Sequence, residues 1–410
     1  MKLVFFTIIS KSYLPLALAQ YDSLIRNNFK SRIFDYKIFI VDYEGIPELD
    51  VLKVFERIEI LDAANLFQDI DIFRSLAFKY DVTEFSTAIK PFAIKSLCYD
   101  YNKVFFLDPD IVFFNEIDNI ISELDEKLIC LTPHVLEPIL NSNIHSRIIT
   151  SGVFNLGFIG IESSEKSIQF LNWWCEKCLN YCFRELSEGL FTDQKWIDFA
   201  PCFFNGNELS IIRKPGYNVA PWNQDEREVI FEKNSFFVVC KANVCVKFPL
   251  IFYHFSGFNY SNVVDSANSK FLINSKKGLN LLLLNYSNAL TYYEIHKYIS
   301  LPYSFNKFSN GLKISKFHRR SYRSFLDQSI FLLEDNPFTS KRLMGIVISN
   351  VQEVERANDI GLIKSFKYHG YLIGLFFKYL RILIGWKRYL LLLKYLKYFS
   401  KFENQSYQVK

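Results

Sequence analysis

The order of short apolar runs and helix-like patterns predicts an α/β protein: a mixed sheet flanked by helices, followed by a helical C-terminal extension. Three observations carry this. The first 115 residues alternate strand-like and helix-like segments, as βαβ units do. The 410 residues include 42 Phe, 24 Tyr and 5 Trp, enough to fill a large core, which excludes a disordered chain. Beyond about residue 275 the pattern becomes helical, and from about 365 it turns basic and aromatic. With 15 Gly and 12 Pro, collagen-like and low-complexity classes are excluded as well.

Element by element, Leu3–Ile9 reads as a strand, 14–28 as a helix and Tyr36–Val41 as a second strand ending at Asp42. The first residues have the outline of a secretory signal: one lysine, an apolar stretch, and Ala17-Leu18-Ala19 as a cleavage-like site. Ser10-Lys11-Ser12 interrupts the run where a signal core would continue, so a buried first strand leading into a helix is expected instead. Thr87–Tyr99 fits a helix and Lys103–Leu107 a third buried strand; Leu128–Leu131 and Val153–Ile161 are further strands, and Ser167–Leu179 is a helix. Gly216–Asn223 is a turn-rich loop, and Leu250–Phe255 is a last strand closed by Ser256-Gly257. A polar connector is expected near Asp335–Ser340. Eight cysteines are too few for a disulfide framework in a chain of this length. Cys175, Cys178 and Cys182 fall on one helical face and lack a fourth ligand, so they are expected to line an apolar helix face in a reducing, cytoplasmic setting.

The segment Lys103-Val104-Phe105-Phe106-Leu107-Asp108-Pro109-Asp110-Ile111-Val112-Phe113-Phe114 sets two carboxylates inside a long apolar run. Residues i and i+2 of an extended chain share a side, so Asp108 and Asp110 converge where the proline ends the strand. Paired carboxylates in apolar surroundings need a cation, and a hard divalent ion on phosphate oxygens meets that need. The alternative is a pair of turn-forming aspartates.

This stretch resembles the D-x-D motif of GT-A glycosyltransferases. Other segments are similar to that family in the same order. They are Phe5-Phe6-Thr7-Ile8-Ile9-Ser10, Thr87-Ala88-Ile89-Lys90-Pro91-Phe92, and Ser151-Gly152-Val153-Phe154-Asn155-Leu156-Gly157-Phe158-Ile159. Two more resemble retaining family 8 enzymes: Phe191-Thr192-Asp193-Gln194-Lys195-Trp196 and Tyr253-His254-Phe255-Ser256-Gly257. The resemblance covers roughly residues 1–260. It implies a GT-A fold that moves a sugar from a nucleotide-diphosphate donor to a glycan or lipid-linked acceptor in polysaccharide synthesis, with Mn²⁺ or Mg²⁺ as cofactor. It further implies Asp108, Asp110 and His254 as metal ligands, Thr7, Ser10, Lys90, Asn155 and Gly257 as donor contacts, and Asp193 and Gln194 as the catalytic segment. Family 8 enzymes usually carry Lys-Pro-Trp shortly after the His-x-x-Gly, and Phe258-Asn259-Tyr260 stands here. The chain thus looks like a distant, bacterial-type relative, for which retention is expected and sugar specificity is not carried over.

Two rivals remain at this point. A haloacid-dehalogenase-like phosphotransferase also uses a strand ending in D-x-D, but expects Thr where Val112 stands. A non-catalytic membrane- or glycan-associated binding protein would use the acidic pair only as a turn.

The net charge of +5 is an average over unequal parts. Residues 361–410 carry ten Lys/Arg against Glu403, while the preceding 360 residues carry 38 basic and 42 acidic groups. Charges break every apolar run of that tail, so it is expected to lie on an anionic membrane surface rather than cross it, which places the protein peripherally at the inner membrane face. Packing of the tail on the body is the alternative. The slightly acidic body argues against nucleic acid as a partner. The expected domains are 1–275 catalytic, 276–360 helical extension and 361–410 basic tail.

Overall fold

Leu3–Ile9 is LVFFTII, with every residue buried, and a strand buried on both faces is what a parallel, helix-covered sheet requires. In a computed structural model of the chain it is β1, the second-but-one neighbour from one edge of a seven-stranded sheet. The structure describes residues 2–28, 34–46, 57–140, 143–260, 277–327, 336–339 and 359–400.

The sheet also contains β2 (Asp35–Ile40), β3 (Ile58–Asp62), β4 (Lys103–Leu107), β6 (Ile129–Pro133), β7 (Phe154–Glu162) and β10 (Leu209–Ile211), in the order β10-β6-β7-β4-β1-β2-β3. β4, β1, β2 and β3 are mutually parallel, as are β10 and β6, and β7 runs antiparallel to both its neighbours. The fold class is therefore as expected from the sequence: mixed α/β, with helices flanking the sheet. One consequence matters for function. The C-terminal ends of β1, β2 and β4 share an edge with the N-terminal end of β7, and in open α/β sheets that edge is where ligands bind.

Helices α1 (Leu14–Asn28), α4 (Lys90–Leu97) and α7 (Glu165–Tyr181) cover the sheet. The expected Thr87–Tyr99 helix is two shorter ones, α3 (Val82–Ala88) and α4, and Pro91 stands in the first turn of the second, where its missing N–H costs nothing. Cys175 and Cys178 lie on α7 and Cys182 at its end, all buried and reduced. Burial raises the Cys175 thiol to about 12, as suits an inert apolar contact.

Three smaller sheets complete this unit, one of them a short antiparallel pair of β8 (Arg184–Glu185) and β9 (Leu190–Phe191). β5 (Ile111–Phe113) pairs antiparallel with β14 (Phe252–His254), and β11 (Arg227–Glu232), β12 (Ser235–Cys240) and β13 (Asn243–Pro249) form an antiparallel meander. The core runs from Leu3 to Tyr298 and includes residues of the Lys277–Tyr292 helix such as Leu282, Leu283 and Tyr286.

The chain divides into two units, residues 1–68 with 82–303, and 69–81 with 304–410. In the second unit the Ile70–Lys79 helix (α2) and the Lys316–Asp327 helix pack around Phe78, Phe308, Ile314 and Tyr322. Arg319 there donates to the carbonyls of Ala77, Phe78 and Tyr80, satisfying orphan groups at the end of α2. The Asp359–Phe399 helix is interrupted at Gly385, whose φ is 77°. Leu383, Trp386 and Phe376 are among its exposed apolar side chains. Among the described residues no helix is long and apolar enough to cross a membrane. The sequence boundary at residue 275, the ends of the polar connector at Asp335 and Ser340, and Lys401 and Lys410 lie outside the described residues; the connector's Pro337–Thr339 is a short 3-10 turn.

Candidate active site

β4 ends at Leu107, and Asp108-Pro109-Asp110 is the turn that carries the chain into β5, with the Ile111 amide donating to the Asp108 carbonyl at 3.0 Å. The segment read as a strand end is thus a corner between two sheets. Two further bonds hold it. The Asp108 amide donates to the Gly157 carbonyl at 2.7 Å, and buried Gln20 of α1 donates to the carbonyls of Asp108 and Ile111 at 2.6 and 3.1 Å.

β14 brings His254 to this corner. Its register sets His254 opposite Ile111, and the amide of Phe255 donates to the Asp110 carbonyl at 2.8 Å. The imidazole Nε2 then lies 3.0 Å from an Asp110 carboxylate oxygen and 3.8 Å from one of Asp108. Asn155, at the start of β7, has Oδ1 3.2 Å from the His254 Nδ1. With Nδ1–H donating there, Nε2 turns its lone pair toward two carboxylates. Three electron-pair donors, each within 4.8 Å of the others, converge on one point.

Such a group demands a cation. Desolvation works against the imidazolium, yet Asp110 and Asp108 overcome it, and the His254 pKa is raised. Burial pushes the Asp108 carboxyl up to about 6 against the pull of Lys90 and His254, with Asp110 and Asp193 adding to the rise. The donor set of two carboxylate oxygens and one imidazole nitrogen, its second nitrogen tied by an amide, fits a divalent ion such as Mn²⁺ or Mg²⁺. The Asp108 side chain is 32% exposed and that of His254 5%, so the ion would be gripped from beneath and reached by substrate from the carboxylate side.

Lys90 and Asp193 meet each other. The Lys90 ammonium, 2% exposed, lies 2.7 Å from the Asp193 carboxylate, donates to the Leu156 carbonyl at 2.9 Å and sits 4.1 Å from the Phe106 ring centroid. A lysine at a helix N-terminus opposes the helix dipole, and the Asp193 carboxylate compensates it. Asp193 follows Thr192, a β-branched residue at φ 48°, a conformation that costs on the order of 1–3 kcal/mol. The Thr192 hydroxyl donates to the Asp193 carboxylate at 3.2 Å.

Gln194 engages the backbone with both ends of its amide, accepting from the Leu156 amide at 3.0 Å and donating to the Ser151 carbonyl at 2.8 Å. It holds the entry to β7. Thr7 is buried on β1, and its hydroxyl has no hydrogen-bond partner among the described residues. Ser10, in the turn after β1, bonds through its hydroxyl to that of Ser12 at 2.9 Å. Gly257 has φ 77° with open space around its Cα, as an exposed turn requires. The structure therefore gathers Asp108, Asp110, His254 and Asn155 in one cluster, with Lys90, Asp193 and Gln194 forming the wall beside it.

Residues singled out less, or not at all, by the sequence complete the site. A Cβ on Gly157 would stand 2.5 Å from the His254 Cε1 and 2.9 Å from the Asn155 Oδ1, so only glycine admits the imidazole. Trp222 packs edge-on to His254 with centroids 5.1 Å apart and donates to the His134 carbonyl at 3.1 Å. Asn223 ties the loop together, donating to the His134 and Asn218 carbonyls and accepting from the Ala220 amide. Burial lowers the His134 imidazole to about 4, so it stays neutral beside the cluster. Gly157 and Gln20 had a faint signal: a glycine two residues after Asn155, and a glutamine on an otherwise apolar helix face.

No family model matches the chain. Among curated proteins it is similar to the Uncharacterized protein YfnF of Bacillus subtilis (strain 168), 25% identical over 262 residues that cover 63% of this chain and 82% of that protein. It is also similar to the Uncharacterized protein YfnD of the same strain, 27% identical over 180 residues, 43% of this chain and 54% of that protein. Among solved structures, mouse xyloside xylosyltransferase 1 in its apo form overlaps 62% of this chain and 98% of its own, at 12% identity and a TM-score of 0.37. The galactosyltransferase LgtC with donor and acceptor sugar analogues overlaps 70% of this chain and 95% of its own, at 12% identity and a TM-score of 0.37. Overlap at that level decides neither the chemistry nor the site.

Proposed function

We propose that the protein is a GT-A-type, metal-dependent glycosyltransferase that takes a nucleotide-diphosphate sugar and passes the sugar to a glycan or lipid-linked acceptor. The observation that carries this reading is the convergence of Asp108, Asp110 and His254 at the strand-end edge of a mixed α/β sheet. A divalent ion bound there would neutralise charge building on the departing diphosphate. The chain's own residues do the rest. Asp108, Asp110 and His254 would hold the ion, and Asn155 orients the imidazole through its Nδ1. Lys90 holds Asp193 in place, and the pair forms a polar wall against the donor sugar. Gln194 fixes the backbone from Ser151 to Leu156, which carries Asn155.

The reaction is assigned retention of configuration. Asp193, whose charge acts on Asp108, is bound to Lys90 and poorly placed to act as a base. The acceptor hydroxyl then gives its proton to the departing phosphate oxygen while attacking on the same face. NMR of the product's anomeric centre tests this, and an inverted product overturns it. The transferase reading itself is tested by metal-dependent hydrolysis of a panel of nucleotide-sugars. Turnover lost in Asp108→Ala and Asp110→Ala supports it; turnover equal to the parent protein would reduce the acidic pair to a turn.

The basic, aromatic Asp359–Phe399 helix is assigned to an anionic membrane surface. Exposed Phe376, Leu383 and Trp386 alternate along it with Lys378, Arg381, Lys387 and Arg388, the composition of a segment that lies in the headgroup layer. That location suits a lipid-linked acceptor at the inner membrane face.

A further inference from the structure

A cavity of about 490 Å³ lies between α1, β5 and the Lys277–Tyr292 helix and contains none of the residues assigned above. Its walls follow from helical spacing. On α1, Asp22 with Arg26 and Ser23 with Asn27 stand four residues apart, and Asn285, Asn288 and Tyr292 form one stripe of the other helix at offsets of three and four. Phe113 and its neighbours on β5 make an apolar floor.

The polar side chains lining this cavity include three amides. Asn27 donates to the carbonyls of Ser23 and Phe113, which leaves its Oδ1 as an acceptor. Asn285 and Asn288 are exposed, and their amides make no hydrogen bond among the described residues. Arg26 and Asp22 are matched at 2.7 and 2.9 Å, so the walls carry no net charge. Tyr292 is 68% exposed and offers a ring beside the amides.

We propose that this cavity is a saccharide-binding subsite that takes a neutral glycan unit. A primary amide presents a donor and an acceptor at the spacing of two adjacent hydroxyls, and an aromatic face covers the C–H side of a sugar ring. The alternatives fit worse. A phosphate would meet one guanidinium already neutralised by a carboxylate, and an acyl chain would strand the amides of Asn285 and Asn288 and the Asn27 Oδ1 without partners. The volume falls in the range of small-molecule sites and holds about one or two sugar rings. The subsite requires no transfer chemistry and stands whether or not the proposed function holds.

The test is saturation-transfer NMR and calorimetry on the full chain with maltotetraose, chitotetraose and a β-linked galactotetraose, with octanoate and inorganic phosphate as controls. Binding of a tetrasaccharide is expected, weakened tenfold or more in Asn288→Ala and in Tyr292→Ala. Ala289→Trp, which fills the mouth instead of removing a contact, is expected to weaken it likewise. Mn²⁺ binding and nucleotide-sugar hydrolysis, measured on the same samples, stay unchanged, so a failed transferase reading is seen separately. No binding by any of the three sugars, equal binding by parent and variants, or preference for phosphate or octanoate overturns the subsite.

Discussion

Gly157 and Asn155 act on His254 in opposite ways, one by leaving space and the other by filling a hydrogen bond. Gly157→Ala would put a Cβ inside the imidazole's contact distance, so the ring must move off the carboxylates. Mn²⁺ affinity measured by calorimetry is expected to fall at least about tenfold while circular dichroism stays native. Asn155→Ala frees the tautomer, and loss of such an outer partner costs about 10–100-fold in metal affinity. The acidic pair was legible because two charges interrupt an apolar run. His254 was legible only through its resemblance to a known motif, and Gly157 was not read as functional because a glycine's role here is an absence of atoms.

The same cluster gives a pH dependence of definite sign. The folded, metal-free protein holds the Asp108 carboxyl at about 6, above its ordinary value of 3.8, and His254 is also raised. Both groups therefore favour the fold when protonated. Their contribution is complete below the unfolded-state values and is lost as pH rises through the folded ones. Compared with Asp108→Asn, the metal-free parent is expected to lose Tm between pH 5 and pH 8, and Mn²⁺ to restore it at pH 8 but not at pH 5. A difference that does not change with pH would contradict the assignment.

At the scale of elements, α4 and the segment before the Gln194–Ile197 helix are joined by the buried Lys90–Asp193 pair. Removing one partner leaves a buried charge alone, a loss of about 3–5 kcal/mol. Lys90→Met is expected to fall in that range by urea unfolding, and Lys90→Met with Asp193→Leu to regain most of it. A double variant as unstable as the sum of the singles would show that the two residues act separately. Elements were unevenly readable. β1 stands out as an uncharged run and β4 as an apolar run after Lys103, whereas the β11–β12 hairpin turns on Lys233-Asn234, both at positive φ, and only Asn234 is a residue that advertises it. The break between α3 and α4 was marked by Pro91 and was read as continuous helix because periodicity alone does not see it.

For the molecule as a whole, charge is divided between a slightly acidic body and a tail near +9. Each basic group near an anionic bilayer contributes roughly 1 kcal/mol. Lys387→Glu with Arg388→Glu and Lys394→Glu is expected to abolish co-sedimentation with phosphatidylserine vesicles at low salt while leaving nucleotide-sugar hydrolysis intact. Binding that survives the reversal would assign the helix to packing instead. The tail's composition was plain in the sequence; the division at residues 69–81 was not, because α2 joins segments after 304 in one unit through contacts that no local pattern records.

The last strand of the first unit has a further consequence. His254 reaches its partners from far along the chain: the Asn155–His254 bond alone spans 99 residues. Contacts of such separation form late because the loop between them must close first. The proposed metal site is therefore finished only when β14 docks on β5, and a nascent or nicked chain that lacks this docking keeps the acidic corner without its imidazole. If Asp108, Asp110 and His254 hold the ion as proposed, Mn²⁺ affinity is in effect a folding gauge for the first unit, low until that strand arrives.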